Sequence, residues 1–300
     1  MSTWSVTYHR PTRVAEACEL ARELGHEARF IAGGTEIVSR FAAGKDAARH
    51  LIALDALGEL RAILREGDEL RIGALATITE VAESSLVNEL YPPLVEAARW
   101  LGNVQIRNQA TIGGNFCGAV PCADTPPICI VARGSVRLAS AEGERQLTAE
   151  EFFVGPRESA LRAGELLAAI AIPAQPAAAG ARYERFGMRR GSAVAVAAVA
   201  ARVVLAGGRI SEARVALGAV APVPLLASSC SRLLEGQPPS AQLFAQAGEA
   251  AAAEARPISD IRGSAEFRRA IVRTLTARAL TRAASRAGAD MGADSEGGSA

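Results

Sequence analysis

Two glycine pairs far apart in the chain, Ala32-Gly33-Gly34-Thr35 and Thr111-Ile112-Gly113-Gly114-Asn115, constrain the fold more than any other feature. Each follows a run that reads as a β-strand, so each reads as a turn that presents backbone N–H groups with no Cβ in the way. Glycine tolerates positive φ and close approach, and successive N–H groups in such turns form concavities for phosphate oxygens. Thr35, Thr111 and Asn115 add side-chain donors. The spacing matches neither G-x-G-x-x-G nor G-x-x-x-x-G-K-[ST], which removes the usual dinucleotide and P-loop readings. What remains is a diphosphate held between two separate turns. A third pair, Gly207-Gly208, lies between two strand-like runs and reads as an ordinary hairpin.

The surrounding pattern is that of an α+β protein. Val14, Ala17, Cys18, Ala21 and Leu24 share a helical face between Pro11 and Gly25, and strands over 29–32 and 51–54 complete a small α/β unit. A hairpin is expected around Glu66-Gly67-Asp68. The Thr77…Glu80 spacing of a capping box opens one helix, and Pro92-Pro93 opens another that buries Leu94, Ala97, Ala98 and Leu101 before stopping near Gly102. Strands follow over 136–139 and 166–172, and 174–180 reads as a flexible linker. Beyond it, strands over 193–205 and 209–217 precede helices near 241–255 and 264–286, the last with Phe267, Ile271 and Leu275 on its apolar face. Residues from Gly288 on read as a disordered tail. The division expected is 1–55, 56–175, 180–287 and the tail 288–300.

Composition excludes several classes of function. The 300 residues carry 33 basic and 32 acidic side chains, a net charge of +1, so nothing favours nucleic acid. Five cysteines, an odd number with no apolar leader after Met1, point to a reducing cytoplasm. The apolar run 193–201 ends at Arg202, well short of the ~20 residues of a membrane span. Cys117, Cys122 and Cys129 fit neither zinc nor iron–sulfur spacing and read as free thiols. His9, His26 and His50 are scattered and read as surface residues. Asp124 reads as the cap of a helix opened by Pro126-Pro127. Arg268, Arg269, Arg273 and Arg278 read as a solvated helix face, with a docking stripe for partners as the alternative, and Trp100 as core. No catalytic acid or base stands out.

Taken together, Ile31-Ala-Gly-Gly-Thr-Glu-Ile37, Arg107-Asn-Gln-Ala-Thr-Ile-Gly-Gly-Asn115 and Pro121-Cys-Ala-Asp124 resemble the FAD-binding medium subunits of molybdenum hydroxylases. The match extends through Glu165-Leu-Leu-Ala-Ala-Ile-Ala-Ile-Pro173, Arg185-Phe-Gly-Met-Arg-Arg190 and Val215-Ala-Leu-Gly-Ala-Val-Ala-Pro222, in family order over nearly the whole chain. The resemblance implies an N-terminal pair of α/β subdomains of the PCMH type that binds FAD, followed by a C-terminal domain of antiparallel sheet and helices. It implies that Ala32, Gly33, Gly34, Thr35, Glu36 and Ile37 form one diphosphate loop and Thr111, Gly113, Gly114 and Asn115 the other. Asp124 would bond polar atoms of the flavin, Leu167 would pack near its ring, and Arg185 would stand where the family often places a basic residue. The implied partners are a large subunit with the molybdenum cofactor and a small subunit with [2Fe-2S] clusters, electrons leaving through FAD to NAD, a quinone or another acceptor.

The Gly-Gly-Asn-Phe-Cys and Ala-Val-Pro-Cys-Ala-Asp stretches look more like the xanthine and nicotinate branches than the carbon-monoxide branch, so a xanthine dehydrogenase-like complex is the expected setting. Two other readings stay open at this point. One is a self-contained flavin oxidoreductase on the same fold, and the other a scaffold that has lost FAD.

Overall fold

The computed structural model describes residues 6–189 and 191–291. Three strands, β1 (Thr7–His9), β2 (Ala28–Ile31) and β3 (His50–Ala53), form a parallel sheet of order β1-β3-β2, crossed over by α1 (Val14–Leu24) and α2 (Ile37–Ala42). The first glycine turn is therefore the junction of β2 and α2. β1 escapes sequence reading because it is a three-residue edge strand with Tyr8 exposed and no apolar alternation.

A second sheet of order β4-β5-β10-β6-β7 is antiparallel throughout. It begins with the hairpin β4 (Ile63–Glu66) and β5 (Glu69–Gly73). A run of short helices then covers one face: α3 (Ile78–Glu83), α4 (Ser85–Leu90), α5 (Pro92–Trp100), α6 (Val104–Gln109), α7 (Ile112–Cys117) and α8 (Thr125–Val131). The chain returns through β6 (Ser135–Ser140), β7 (Gly143–Thr148), the small hairpin β8 (Phe153–Gly155) and β9 (Glu158–Ser159), and β10 (Leu166–Pro173). The expected capping box closes α3, with Thr77 Oγ1 accepting from the Glu80 N–H and the Glu80 carboxylate accepting from the Thr77 N–H. α5 starts at Pro92 and buries Leu94, Ala97 and Ala98 as expected.

The first sheet packs against the second through α1 and β3. Ala17, Cys18 and Ile52 meet Ala139, Leu166 and Ala168 in one cluster, and the Cys18 thiol donates to the Ala139 carbonyl.

The third sheet, β11 (Ala179–Gly187), β12 (Ala195–Ala206), β13 (Arg209–Gly218) and β14 (Leu225–Leu226), is antiparallel and carries α9 (Ser228–Leu234), α10 (Ala241–Glu254) and α11 (Ala265–Arg286) on one face. β12 is covered on both sides: Ala198 and Ala200 join the core of the second sheet, while Val199, Ala201 and Val203 face the C-terminal helices. A strand buried on both faces reads as a continuous apolar run, which explains 193–201.

Four expectations need correction. The linker ends sooner than expected, because Gly180 lies in β11, where a Cβ would stand 2.0 Å from the Ala283 carbonyl of α11. On α11 the buried stripe is Val272, Leu275, Thr276, Ala279, Leu280 and Ala283, with Phe267 exposed. Arg268 is not solvated at all: it is 3% exposed, donates to the Val196 and Ala219 carbonyls and pairs with Asp260 at 2.7 Å. The histidines are not all scattered, since β1 and β3 bring His9 Nε2 within 3.0 Å of His50 Nδ1 in a half-buried contact. The tail expected over 288–300 lies outside the described residues from 292 onward. The five cysteines are all free thiols, and Cys18, Cys129 and Cys230 are buried.

Candidate functional site

The two glycine segments meet. Gly33 packs so tightly on the residue that ends α6 that a Cβ would fall 1.7 Å from the Gln109 carbonyl oxygen. Gly34 follows at φ +71°, a left-handed conformation that favours glycine. The chain then turns into α2, and from Gly33 to Ile37 none of the five backbone N–H groups has a hydrogen-bond partner among the described residues. The first bond of the turn is donated by the Val38 N–H to Gly34. These donors edge a cavity of about 490 Å³, within the range of small-molecule sites.

The second segment is built differently from the turn expected. It does not follow a strand. Thr111 is the N-cap of α7, and its neighbours' amides are already used: Ile112 donates to Ala76, Gly113 to Ala74, Gly114 to Thr111 Oγ1, and Asn115 to the Thr111 carbonyl. Gly113 is packing, because a Cβ there would lie 2.6 Å from Ala74. Gly114 is the open position, exposed on the cavity wall, with only Thr111 Oγ1 near its missing Cβ, at 3.0 Å. The Asn115 amide oxygen accepts from the Thr125 hydroxyl at 2.7 Å, which directs its NH₂ group away as a donor.

The cations at the rim come from residues the sequence reading passed over as site residues. Arg29 and Arg40 both pair with Asp46, each at 3.3 Å, and Arg157 pairs with Glu36. All five line the cavity, so three guanidinium groups face two carboxylates, a surplus that suits an anion. Arg157 comes from the turn between β8 and β9 in a left-handed conformation, φ 65°, with its N–H on the Ala119 carbonyl. No sequence signal marked it, since it lies more than a hundred residues from its partner. Leu101, Ile106 and Ala110 supply the apolar wall, and Cys117 adds a thiol that burial pushes up to about 12, so it remains protonated at neutral pH.

Of the expected site residues, Ala32 to Ile37, Thr111, Gly114 and Asn115 line this cavity, while Gly113, Asp124, Leu167 and Arg185 do not. Leu167 is buried in β10 opposite Leu138. Asp124 does not cap α8. Its backbone is helical rather than extended, which turns the carboxylate inward, where it accepts from the Tyr183 hydroxyl at 2.8 Å and pairs with Arg185 at 3.1 Å. Burial raises its pKa to about 6, against the opposing pull of Arg185 and Tyr183. Arg185 also donates to the Trp100 and Ala193 carbonyls, with its guanidinium carbon 5.5 Å from the Trp100 ring centre. Trp100 is therefore not core but a partly exposed platform beside Leu101, joining the Asp124 cluster to the cavity wall.

A parallel βαβ turn with free amides, facing a second segment and a cationic rim, is an arrangement that suits a phosphorylated ligand. The comparisons with known proteins specify which. Residues 4–175 match the family described as FAD binding domain in molybdopterin dehydrogenase, and 182–283 match the CO dehydrogenase flavoprotein C-terminal domain. The xanthine dehydrogenase FAD-binding subunit of Escherichia coli O157:H7 is 31% identical over 279 residues, covering 92% of this chain and 95% of the relative. The carbon monoxide dehydrogenase medium chain of Afipia carboxidovorans is 33% identical, covering 93% and 96%. Carbon monoxide dehydrogenase from Hydrogenophaga pseudoflava, in a structure lacking the Mo-pyranopterin moiety of the molybdenum cofactor, superposes with a TM-score of 0.92 at 32% identity, covering 95% and 99%. The chain belongs to the FAD-binding medium subunits of the xanthine dehydrogenase and carbon monoxide dehydrogenase family, and its cofactor is FAD. The identities do not separate the two branches.

Proposed function

We propose that this chain is the electron-transfer subunit of a xanthine dehydrogenase-like molybdenum hydroxylase in the cytoplasm. It receives electrons from the [2Fe-2S] clusters of a small partner, reduced in turn by a large subunit holding the molybdenum cofactor, and passes them to NAD, a quinone or another acceptor. The observation that carries the reading is the row of unpartnered amides from Gly33 to Ile37 beside a cation-rich rim. Relatives named as medium chains of carbon monoxide dehydrogenase support the multi-subunit setting. Among the described residues no helix is long and apolar enough to cross a membrane. On this reading 1–55 and 56–175 are the two flavin-binding subdomains and 180–287 is the C-terminal domain.

Bound FAD supplies the ability to take up electrons singly and release them as a pair. The protein's share is to bind and position. The amides of Gly33 to Ile37 hold the diphosphate, with Ala32 and Ile37 fixing the ends of the turn, Thr35, Thr111 and Asn115 adding donors, and Gly114 leaving room. Arg29, Arg40 and Arg157 balance the added negative charge against Asp46 and Glu36. Leu101 and Ile106 exclude water. Asp124, buried against Tyr183 and Arg185 with a pKa of about 6, is mostly ionised at neutral pH, and it and Leu167 of β10 stand behind the cavity lining rather than in it.

The test is the visible spectrum of the purified chain, with chromatography of the cofactor released on heating and co-purification with a large molybdenum-containing subunit. FAD near one per chain, together with that partner, is the expected result. FMN in its place removes the diphosphate cradle, absence of a partner from an otherwise active flavoprotein selects the self-contained oxidoreductase, and failure to bind added FAD selects the scaffold.

A further inference from the structure

A second cavity, of about 420 Å³, lies away from the flavin cleft and shares no lining residue with it. Its walls are Leu90, Tyr91, Pro92 and Pro93 at the junction of α4 and α5, and the start of β11 at Ala179 to Ala181. Its polar end is formed by Gln175, Arg202 and Arg286.

Arg202 is unusual for a charged residue in being 3% exposed. Its Nε donates to Gln175 at 2.6 Å and its Nη1 to Glu212 at 2.8 Å, whereas Nη2 has no hydrogen-bond partner among the described residues. Nη2 is not one of the buried donors left without a partner, so this unspent donor opens onto the cavity, where an acceptor can meet it. The charge around it is also unbalanced. Glu212 is shared by Arg202 and Arg133, Glu96 by Arg182 and Arg286, and Glu184 by Arg182 and Arg282, so five guanidinium groups are held together by three carboxylates.

We infer that this cavity is a binding site for a small apolar monoanion, an aryl or alkyl carboxylate, whose body lies against Tyr91, Pro92 and Pro93 and whose carboxylate accepts from Arg202 Nη2. The class follows from the combination of walls and charge: apolar walls reject a highly charged ligand, and the positive surplus rejects a cation. The site is independent of the flavin reading, since it stands on other residues.

Titration calorimetry of the full-length, FAD-loaded chain with 2-naphthoate is the test, with naphthalene-2-carboxamide and 2-naphthylmethylammonium as controls. One saturable site is expected, with the amide at least tenfold weaker and the ammonium silent. Arg202→Gln should weaken naphthoate tenfold or more. Because that variant removes a partner of Glu212 and risks misfolding, Ala179→Leu, which narrows the cavity from a half-exposed position, serves as the second test and should also abolish binding while flavin absorbance and melting temperature hold. Equal affinity for the amide, no saturation, or unchanged binding in both variants overturns the inference. Exclusion of the probe once partner subunits assemble also overturns it, by assigning Arg202 to a partner's carboxylate.

Discussion

Glycines that look alike in the sequence have three different reasons to be glycine. At Gly33 the reason is contact with the Gln109 carbonyl, so Gly33→Ala is expected to cost about 1–3 kcal/mol of stability by forced overpacking, read as a lower urea midpoint. At Gly34 it is positive φ. At Gly114 the missing Cβ faces the cavity with Thr111 Oγ1 alone in reach, at 3.0 Å, so Gly114→Leu is expected to lower the melting temperature slightly by crowding that cap while FAD affinity, followed by flavin fluorescence, drops tenfold or more. The motif text shows that these residues matter but not which task each performs, because the tasks depend on Gln109, Ala74 and Thr111 lying where only the fold puts them. Asp124 makes the same point through charge. Its folded pKa, about 6, lies above the ordinary carboxylate value of 3.8, so between these values the folded state holds more protons than the unfolded. Burying the charge therefore lowers stability as pH rises from about 4 to about 6, and the penalty persists above that window. Asp124→Asn should remove this component, and its stability relative to the parent should rise across the same window by on the order of 2 kcal/mol in urea titrations at pH 4 and pH 7.

Long elements with a single periodicity were readable in advance, and short ones only where a turn, a cap or a proline pair marked them. The helices over 14–24, 241–254 and 265–286 and the strands flanking Gly207-Gly208 have the expected places because each spans enough residues for a pattern to repeat. α2, α4, α6 and α7, at six residues each, are too short to show a period, whereas the seven-residue α8 was marked by Pro126-Pro127, and β8 and β9 hold no more than three residues each. The caps do more than the periods in such pieces. Thr77→Ala, which breaks the capping box of α3, is expected to cost about 1 kcal/mol, measured by thermal melting. The β8–β9 turn has its effect through Arg157. Both partners of the Arg157–Glu36 pair are partly exposed, so the pair contributes little to stability, about 1 kcal/mol or less. Arg157→Glu should accordingly leave the melting temperature nearly unchanged while replacing a cation with an anion at the cavity rim. The expected loss is at least tenfold in FAD affinity, reduced at high salt as screening grows.

At the scale of the whole molecule, the cavity proposed to hold FAD lies between sheets. The first glycine turn leaves the parallel sheet, the second segment belongs to helices lying on the antiparallel one, and Arg157 ties the two together from a hairpin beyond both. On the proposed reading, FAD bound there stabilises the folded chain by about 2.7 kcal/mol at a free concentration one hundred times the dissociation constant. The effect on individual amides should be uneven in a way the motifs alone do not suggest. The N–H groups of Gly33 to Ile37 lack protein partners, so FAD should slow their hydrogen exchange most strongly. Those of Ile112 to Asn115 are already bonded within the protein and should gain only the protection that comes from global stabilisation. The β12–β13 core, sealed between the second sheet and the C-terminal helices, should follow the global opening alone. Exchange mass spectrometry with and without FAD distinguishes this asymmetric cradle from one in which both glycine segments donate equally. Comparable new protection over 33–37 and 112–115 would show that the second segment reorganises to bind, and that its internal bonds are broken when the cofactor enters.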